Sequence, residues 1–154
     1  MDDDATDALY PPYHKLDPYP KYLVINIYGG YTLVSDRVIC ITNQNQYAEA
    51  QKLQTKLNEL GFRWDIHLAT ADAPCKRIGV KFEIQPLEKG KGSYQIDIGV
   101  FSPMSPEAPD SVIALEANDD DALANGVTML LKVIEVGLEL DGEAIASMWI
   151  RDWE

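Results

Sequence analysis

The apolar residues of this chain change their spacing twice along the sequence, and this change constrains the fold more than any other feature. Over residues 45–60 they recur every three or four positions, as on one face of a helix, and Gly61 follows where a left-handed C-terminal residue is expected. A second helical stretch begins after Asn118 and carries its apolar stripe to Leu138. Strand-like segments flank both stretches. This order predicts one α/β (α+β) domain, a mixed, largely antiparallel sheet covered by two main helices.

Short apolar or alternating segments bounded by glycine, proline and polar turns predict the strands. They lie at 22–27, 31–34, 38–42, 64–68, 78–84, 94–98, 111–117 and 144–150. Gly29-Gly30 and Ser35-Asp36-Arg37 are typical turn sequences, so we expect the first three strands to form an antiparallel meander.

The first residues of the chain form a separate arm, predicted over residues 1–15. Four of the first seven residues are aspartate, and prolines follow at positions 11, 12, 18 and 20. Proline lacks the amide hydrogen and restricts the residue before it to extended geometry, so the arm is not a helix. Its tyrosines, including Tyr13, indicate that part of it packs against the domain.

The charge of the chain argues against two classes of partner. Thirteen Lys and Arg against 25 Asp and Glu give a formal net charge of −12, which repels phosphate backbones and anionic lipids. No apolar run approaches the roughly 18 residues of a transmembrane helix. We therefore expect neither nucleic-acid nor membrane binding. A stand-alone acidic protein-binding module, of the immunity or nucleic-acid-mimic type, stays open as an alternative function.

Cysteine and histidine are too few to indicate a metal or cofactor site. Cys40 lies in an apolar strand and reads as a small buried hydrophobe, whereas Cys75 lies in a loop; a disulfide between them stays open. His14 lies in the arm, and His67 alternates with apolar neighbours, which predicts that it points away from the core. Neither a zinc-binding HExxH sequence nor a phosphate-binding glycine loop occurs.

Paired carboxylates are the one kind of catalytic group that the composition supplies in number. The run Asp119-Asp120-Asp121 is the obvious cluster. Acidic residues at the first turn of a helix also complement its partial positive charge, and capping is the simpler interpretation. The sequence by itself therefore predicts no catalytic residue.

The second half of the chain resembles the N-terminal, non-catalytic α/β domain of family 20 glycoside hydrolases, the β-N-acetylhexosaminidases. Related domains precede the barrels of family 84 and α-glucuronidase enzymes. The matching positions are core residues of two strands and one helix, namely Tyr94, Ile96 and Ile98, then Ile113, Leu115 and Ala117, then Gly126, Leu130 and Val133. Met129 and Lys132 depart from the threonine and glutamine of the family pattern. The similarity spans roughly residues 16–152.

The resemblance implies a single domain over residues 16–150 and a junction over residues 151–154 that leads into a catalytic (β/α)8 barrel. It implies a non-catalytic accessory role in carbohydrate metabolism, with the barrel of the same polypeptide as partner. The family's catalytic Asp-Glu pair does not occur in this chain, so we expect the chain alone to be inactive and its parent protein to be a glycosidase. Met148, Trp149 and Trp153 lie where the barrel would attach and are the predicted interdomain contacts.

Glycan is a further partner that the sequence leaves open, because exposed aromatic rings stack on sugars. Tyr28, Tyr31, Trp64 and Trp153 are the candidates. Localisation is also open. The acidic start is unlike the basic beginning of a secretory signal, so either the protein stays inside the cell or a leader has been removed, in which case it is secreted or periplasmic.

Overall fold

The computed structural model describes residues 13, 16, 20–84, 93–99, 112–140 and 144–152. Its elements in chain order are β1 (Tyr22–Thr32), β2 (Arg37–Ile41), a 3-10 turn (Gln44–Gln46), α1 (Tyr47–Glu59), β3 (Trp64–Leu68), β4 (Ile78–Ile84), β5 (Tyr94–Gly99), β6 (Val112–Ala117), α2 (Asp120–Leu140) and β7 (Ala144–Asp152).

The described strands form one seven-stranded mixed sheet in the order β1-β7-β5-β6-β4-β2-β3. The pairs β1–β7, β7–β5 and β5–β6 are antiparallel, whereas β6–β4, β4–β2 and β2–β3 are parallel. Helix α1 connects the parallel neighbours β2 and β3, as a crossover between parallel strands requires. The predicted mixed sheet with two helices is confirmed, but its described strand pairs divide equally between antiparallel and parallel, so the sheet is not largely antiparallel as predicted.

The predicted antiparallel meander at the start of the domain is wrong. Residues 22–32 form one strand, β1, which pairs with β7, and its register shifts between Asn26 and Gly30 instead of turning back. The next strand, β2, lies at the other side of the sheet between β3 and β4. A glycine pair fits a β-bulge as readily as a hairpin turn. Here β1 continues through the glycines because it pairs with β7 along both of its halves.

Helix α1 follows its predicted period. Ala50, Leu53 and Leu57 form its buried face, and Asn43 caps the preceding 3-10 turn by accepting a hydrogen bond from the Asn45 amide. The helix ends before Gly61, whose φ of 97° is the left-handed conformation that the sequence predicts there.

The residue that caps helix α2 lies one position later than predicted. Asp119, and not Asn118, accepts the hydrogen bond from the Ala122 amide, at 2.8 Å between Oδ1 and N. This carboxylate occupies the position where it both caps the helix and meets its partial positive charge.

Glycines let α2 approach the sheet and the arm closely. A Cβ atom on Gly126 would lie 2.6 Å from Leu115 Cδ1, and one on Gly137 would lie 2.5 Å from Ile145 Cγ2 and 2.8 Å from the Tyr13 hydroxyl. Tyr13 is itself buried, which agrees with the prediction that part of the arm packs against the domain.

In the described part of the chain, both helices lie on one face of the sheet and neither covers the other. Side chains that alternate toward the helices are fully buried and belong to one core cluster, including Ile39, Ile41, Val80, Phe82, Ile96, Ile98, Ile113, Leu115 and Ile150. Their neighbours in sequence, on the opposite face, are mainly charged or polar, including Lys81, Glu83, Gln95, Asp97 and Glu116. We call this second surface the open face.

A disulfide joins Cys40 of β2 to Cys75 in the loop before β4, with 6.0 Å between the Cα atoms. Cys40 is buried, as the sequence predicts, but as half of this bridge and not as a free thiol. The register places Cys40 on the open face opposite His67 of β3. The bridge therefore fixes the loop over that end of the open face.

We predict that the Cys40→Ala/Cys75→Ala double variant loses about 3–4 kcal/mol of unfolding free energy, because the bridge closes a loop with a sequence separation of 35. Urea denaturation of the non-reduced protein measures this loss. Reductant should destabilise the wild type and leave the variant unchanged. Equal stability of the two non-reduced proteins would show that the bridge does not constrain the unfolded chain.

One ion pair links the exposed sides of the two helices. Lys56 Nζ of α1 lies 2.8 Å from Glu135 Oε2 of α2, and this hydrogen bond raises the pKa of Lys56 above its usual 10.5. A raised lysine pKa means that the folded state holds the proton more tightly than the unfolded chain does. The pair therefore stabilises the fold below pH 10.5, and its contribution disappears as the pH rises through the folded-state pKa.

We expect a small positive coupling between Lys56 and Glu135 at neutral pH, since both side chains are partly exposed to solvent. A double-mutant cycle of Lys56→Gln and Glu135→Gln, followed by thermal melting at increasing pH, measures it. The coupling should decline above pH 10.5 and vanish once the pH exceeds the raised folded-state pKa of Lys56. A coupling that persists at that pH would mean that the two side chains interact by packing and not by charge.

Candidate functional site

The open face carries an exposed apolar patch on its two outer antiparallel strands. Tyr22 and Val24 of β1 are 52% and 45% exposed, and Trp149 of β7 is 40% exposed. The register places Val24 opposite Trp149 and Tyr22 opposite Arg151, so the four side chains lie on one surface. We call these four residues the β1–β7 patch.

Charged groups within and beside the β1–β7 patch are paired. The Arg151 guanidinium donates to Asp97 Oδ1 at 2.9 Å and lies 4.7 Å from the centre of the Trp149 ring. A cation over an indole ring is an attractive arrangement, and here it also holds the ring in place. On the next pair of strands Gln95 donates a hydrogen bond to Glu116. The patch is therefore apolar with a neutralised polar margin.

The three predicted interdomain residues have different positions. Met148 points toward the helices and is only 3% exposed, so its side chain is part of the core. Trp149, its neighbour in β7, lies in the β1–β7 patch. Trp153 lies outside the described residues.

A polar cavity lies at the edge of the sheet where the parallel strands end. Its volume is about 380 Å³, and its lining comes from the segment after β2, the last residue of β4 and the first residue of α2: Thr42, Asn43, Asn45, Gln46, Ile84 and Asp120. We call it the carboxyl-edge cavity. Its residues are not among those predicted from the sequence, although the polar run Thr42–Gln46 directly after a buried strand is a usable signal.

Hydrogen bonds hold the lining of the carboxyl-edge cavity in place. Gln46 is only 1% exposed, and its Oε1 accepts from the Thr42 amide at 2.8 Å while its Nε2 donates to the Thr42 hydroxyl at 3.1 Å. Asn45 Nδ2 donates to Asp120 Oδ2 at 3.3 Å, which joins the 3-10 turn before α1 to the first residue of α2. The cavity walls are therefore fixed before any ligand arrives.

A second cavity, of about 430 Å³, lies at the opposite edge of the sheet. It is lined by the end of α1 and the beginning of β3, namely Gln54, Asn58, Gly61, Arg63, Trp64 and Asp65. The Trp64 ring is buried and its Nε1 donates to the Val34 carbonyl at 2.6 Å, so this ring offers no face for sugar stacking. The Tyr28 and Tyr31 side chains, also candidates for such stacking, lie outside the part of the structure that is described.

The aspartate run at the start of α2 has structural partners. Asp119 caps the helix and Asp120 contacts Asn45, while Asp121 is exposed in the first turn. Among the described residues, no group of three or more His, Cys, Asp or Glu side chains has an arrangement that could hold a metal ion.

The side chains of His67 and Cys75 are also engaged in structural contacts. His67 lies on the open face, as predicted, with Nε2 3.0 Å from the Ala73 carbonyl, and Cys75 is bonded to Cys40. His14 lies outside the described residues. No helix in the described part of the chain is long and apolar enough to cross a membrane.

Comparison with known proteins finds relatives by structure and not by sequence. No protein-family model matches this chain, and no curated protein matches it. The fold is similar to that of a GH20 exo-β-N-acetylglucosaminidase from Vibrio harveyi, solved with N-acetylglucosamine, at a TM-score of 0.61 and 13% identity. An inactive mutant of that Vibrio harveyi enzyme gives a TM-score of 0.59 at 15% identity, and the structure described as CpGH84D gives 0.58 at 15%.

These matches cover most of this chain and a small part of each larger one. They span 88% of this chain, but only 18% of the two Vibrio harveyi chains and 23% of CpGH84D. At such low identity the likeness establishes the fold alone. The resemblance to family 20 and family 84 structures that the sequence indicated is thereby confirmed at the level of fold.

Proposed function

We propose that this chain is a non-catalytic accessory domain of a glycoside hydrolase of the β-N-acetylhexosaminidase type, which supports a (β/α)8 catalytic barrel outside the present sequence. One observation carries the proposal. The similarity includes 88% of this chain and only 18% of an exo-β-N-acetylglucosaminidase chain, so the equivalent fold there is one part of a much larger protein.

The extensive core and the disulfide support a role as a rigid domain beside a catalytic domain. Its helices, the arm residue Tyr13 and one sheet face share a single buried cluster, and the disulfide fixes a loop on the other face. Such a domain is already ordered before it contacts its neighbour. It can therefore hold that neighbour in a fixed orientation without losing further conformational entropy.

The β1–β7 patch is the surface that we propose for contact with the catalytic domain. It combines an exposed aromatic ring and a valine with charges that are already paired, as in the apolar centre and polar rim of protein interfaces. Trp149 lies at its centre, and β7 is the last strand of the described chain. Large exposed aromatic residues are the usual energetic anchors of such surfaces.

The acidic composition supports this function better than it supports mimicry of nucleic acid. A mimic needs a dense, unpaired negative surface. In the described part of the chain, Glu49, Glu83, Asp97 and Glu135 each lie within ion-pair distance of a lysine or arginine. Such mixing of positive and negative side chains is typical of a solvated domain surface.

We expect no hydrolysis of 4-nitrophenyl N-acetylglucosaminide by this chain, and hydrolysis by the product of the complete reading frame that encodes it. Release of nitrophenol measures both. The matched control is a denatured preparation of each protein. Turnover by this chain above that control would overturn the non-catalytic role, and a complete, inactive gene product without a barrel would overturn the link to a glycosidase.

We expect Trp149→Ala to lower the melting temperature of the complete protein while changing the unfolding free energy of this chain by less than about 1 kcal/mol, because the ring is exposed here and buried by the neighbouring domain there. Calorimetry of both forms measures the difference. Tyr47→Ala, which removes an equally exposed ring on α1, is the control. If Tyr47→Ala had the larger effect in the complete protein, the contact surface would lie on the helical side.

A further inference from the structure

We infer that the carboxyl-edge cavity is a binding site for a neutral, polyhydroxylated ring such as a monosaccharide. The inference rests on where the cavity lies, on the chemistry of its lining and on the contacts that hold that lining in place. It does not depend on the proposed accessory function, because it uses no property of the similar structures.

The cavity lies where the topology of the sheet creates a crevice. β2 and β4 are adjacent and parallel, and the strands that follow them in the chain lie on opposite sides of this pair. After β2 it passes through α1 to β3 at one edge of the sheet, whereas after β4 it continues to β5 and β6 on the other side. In open sheets with parallel strands, ligands bind in the crevice that such a divergence leaves.

The volume of the cavity suits a small ligand. At about 380 Å³ it lies in the lower part of the range of roughly 300–1,000 Å³ that is usual for small-molecule sites. Its walls come from three separate segments of the chain, and the Asn45–Asp120 hydrogen bond joins two of them. A ligand would therefore contact several elements at once.

The lining selects hydroxyl groups over ions. The exposed carboxamides of Asn43 and Asn45 can both donate and accept hydrogen bonds, as sugar hydroxyls do, whereas the buried Gln46 side chain is used in holding Thr42. Ile84 supplies one apolar wall for the carbon face of a ring. This composition matches a neutral ligand that is polar at its rim and apolar on one face.

The charges that face the cavity exclude the ionic alternatives. Among the described lining residues, Asp120 is the single charged side chain; the segment 42–46 and the end of β4 contribute uncharged groups. Its carboxylate repels an anion, and a single carboxylate is fewer than divalent cations usually require. Asp120 also retains acceptor capacity, since only its Oδ2 is used by Asn45. It can therefore accept from two adjacent hydroxyls of a neutral ring.

Methyl NMR of the protein tests the inference, with glucose, N-acetylglucosamine and glucuronate as probes. Ile84 is the reporter, because its side chain lines the cavity, and the core residue Ile39 is the internal reference. We expect either neutral sugar to shift the Ile84 methyl signal saturably at millimolar concentrations and to leave that of Ile39 in place. Glucuronate, which keeps the ring and adds a carboxylate, should bind the wild type more weakly than glucose does, because Asp120 repels it.

Variants locate the binding and test its chemistry. Asn45→Ala and Asp120→Ala each remove hydrogen-bonding groups and should weaken sugar binding by about fivefold to tenfold. Asp120→Asn should bring glucuronate binding close to that of glucose. Asn58→Ala, a matched change in the second cavity, should leave binding unchanged. Both asparagines are exposed, so neither alanine variant should disturb folding, and thermal melting verifies this.

Three results would overturn the inference. They are the absence of a saturable Ile84 shift with either neutral sugar, equal binding of glucose and glucuronate by the wild type, and loss of sugar binding in Asn58→Ala but not in Asn45→Ala. None of these results bears on the accessory role, which is tested by hydrolysis and by the stability of the complete protein.

Discussion

The close approach of α2 to the sheet is the packing contact on which the rest of the domain depends. Gly126 lies against Leu115 and Gly137 lies against Ile145 and Tyr13, each at a separation that leaves no room for a Cβ atom. With α2 this close, its apolar side chains fill the space above β5, β6 and β7, and α1 covers the parallel strands beside it. Burial of one sheet face supplies most of the stabilisation of such a domain, since neither described helix covers the other face.

Covering only one face leaves two different surfaces for function. The open face carries the β1–β7 patch, whose aromatic ring is flanked by a paired arginine and suits contact with another protein domain. The carboxyl-edge cavity lies at the end of the parallel strands, where the loops and helix starts converge, and suits a small polar ligand. The antiparallel half of the sheet thus provides the proposed docking surface and the parallel half provides the proposed binding site.

Local sequence patterns predicted the elements well where the pattern and the tertiary contacts agree. The helical period over 45–60, the left-handed Gly61 and the alternation in β5 each follow from local geometry and are confirmed. The prediction of a meander was wrong because Gly29-Gly30 fits either a turn or a bulge, and only the pairing of β1 with β7 distinguishes the two. The observed cap of α2 is Asp119 and not the predicted Asn118, because both are good capping residues and the sequence does not distinguish them. The resemblance to glycoside hydrolase domains rested on core positions, and these are the positions that the fold places between sheet and helices.

The sequence by itself therefore determined the type of each element, the apolar face of each helix and the fold class, because these depend on residues only a few positions apart. The tertiary structure alone decided which strands are neighbours, that Cys40 pairs with Cys75, and that Trp149 is exposed while Met148 is buried. It also decided the existence of the carboxyl-edge cavity, whose lining joins residues 42–46 to residues 84 and 120. The physical reason is common to these cases: contacts between distant parts of the chain depend on how the whole sheet is ordered, and local spacing carries no information about that order.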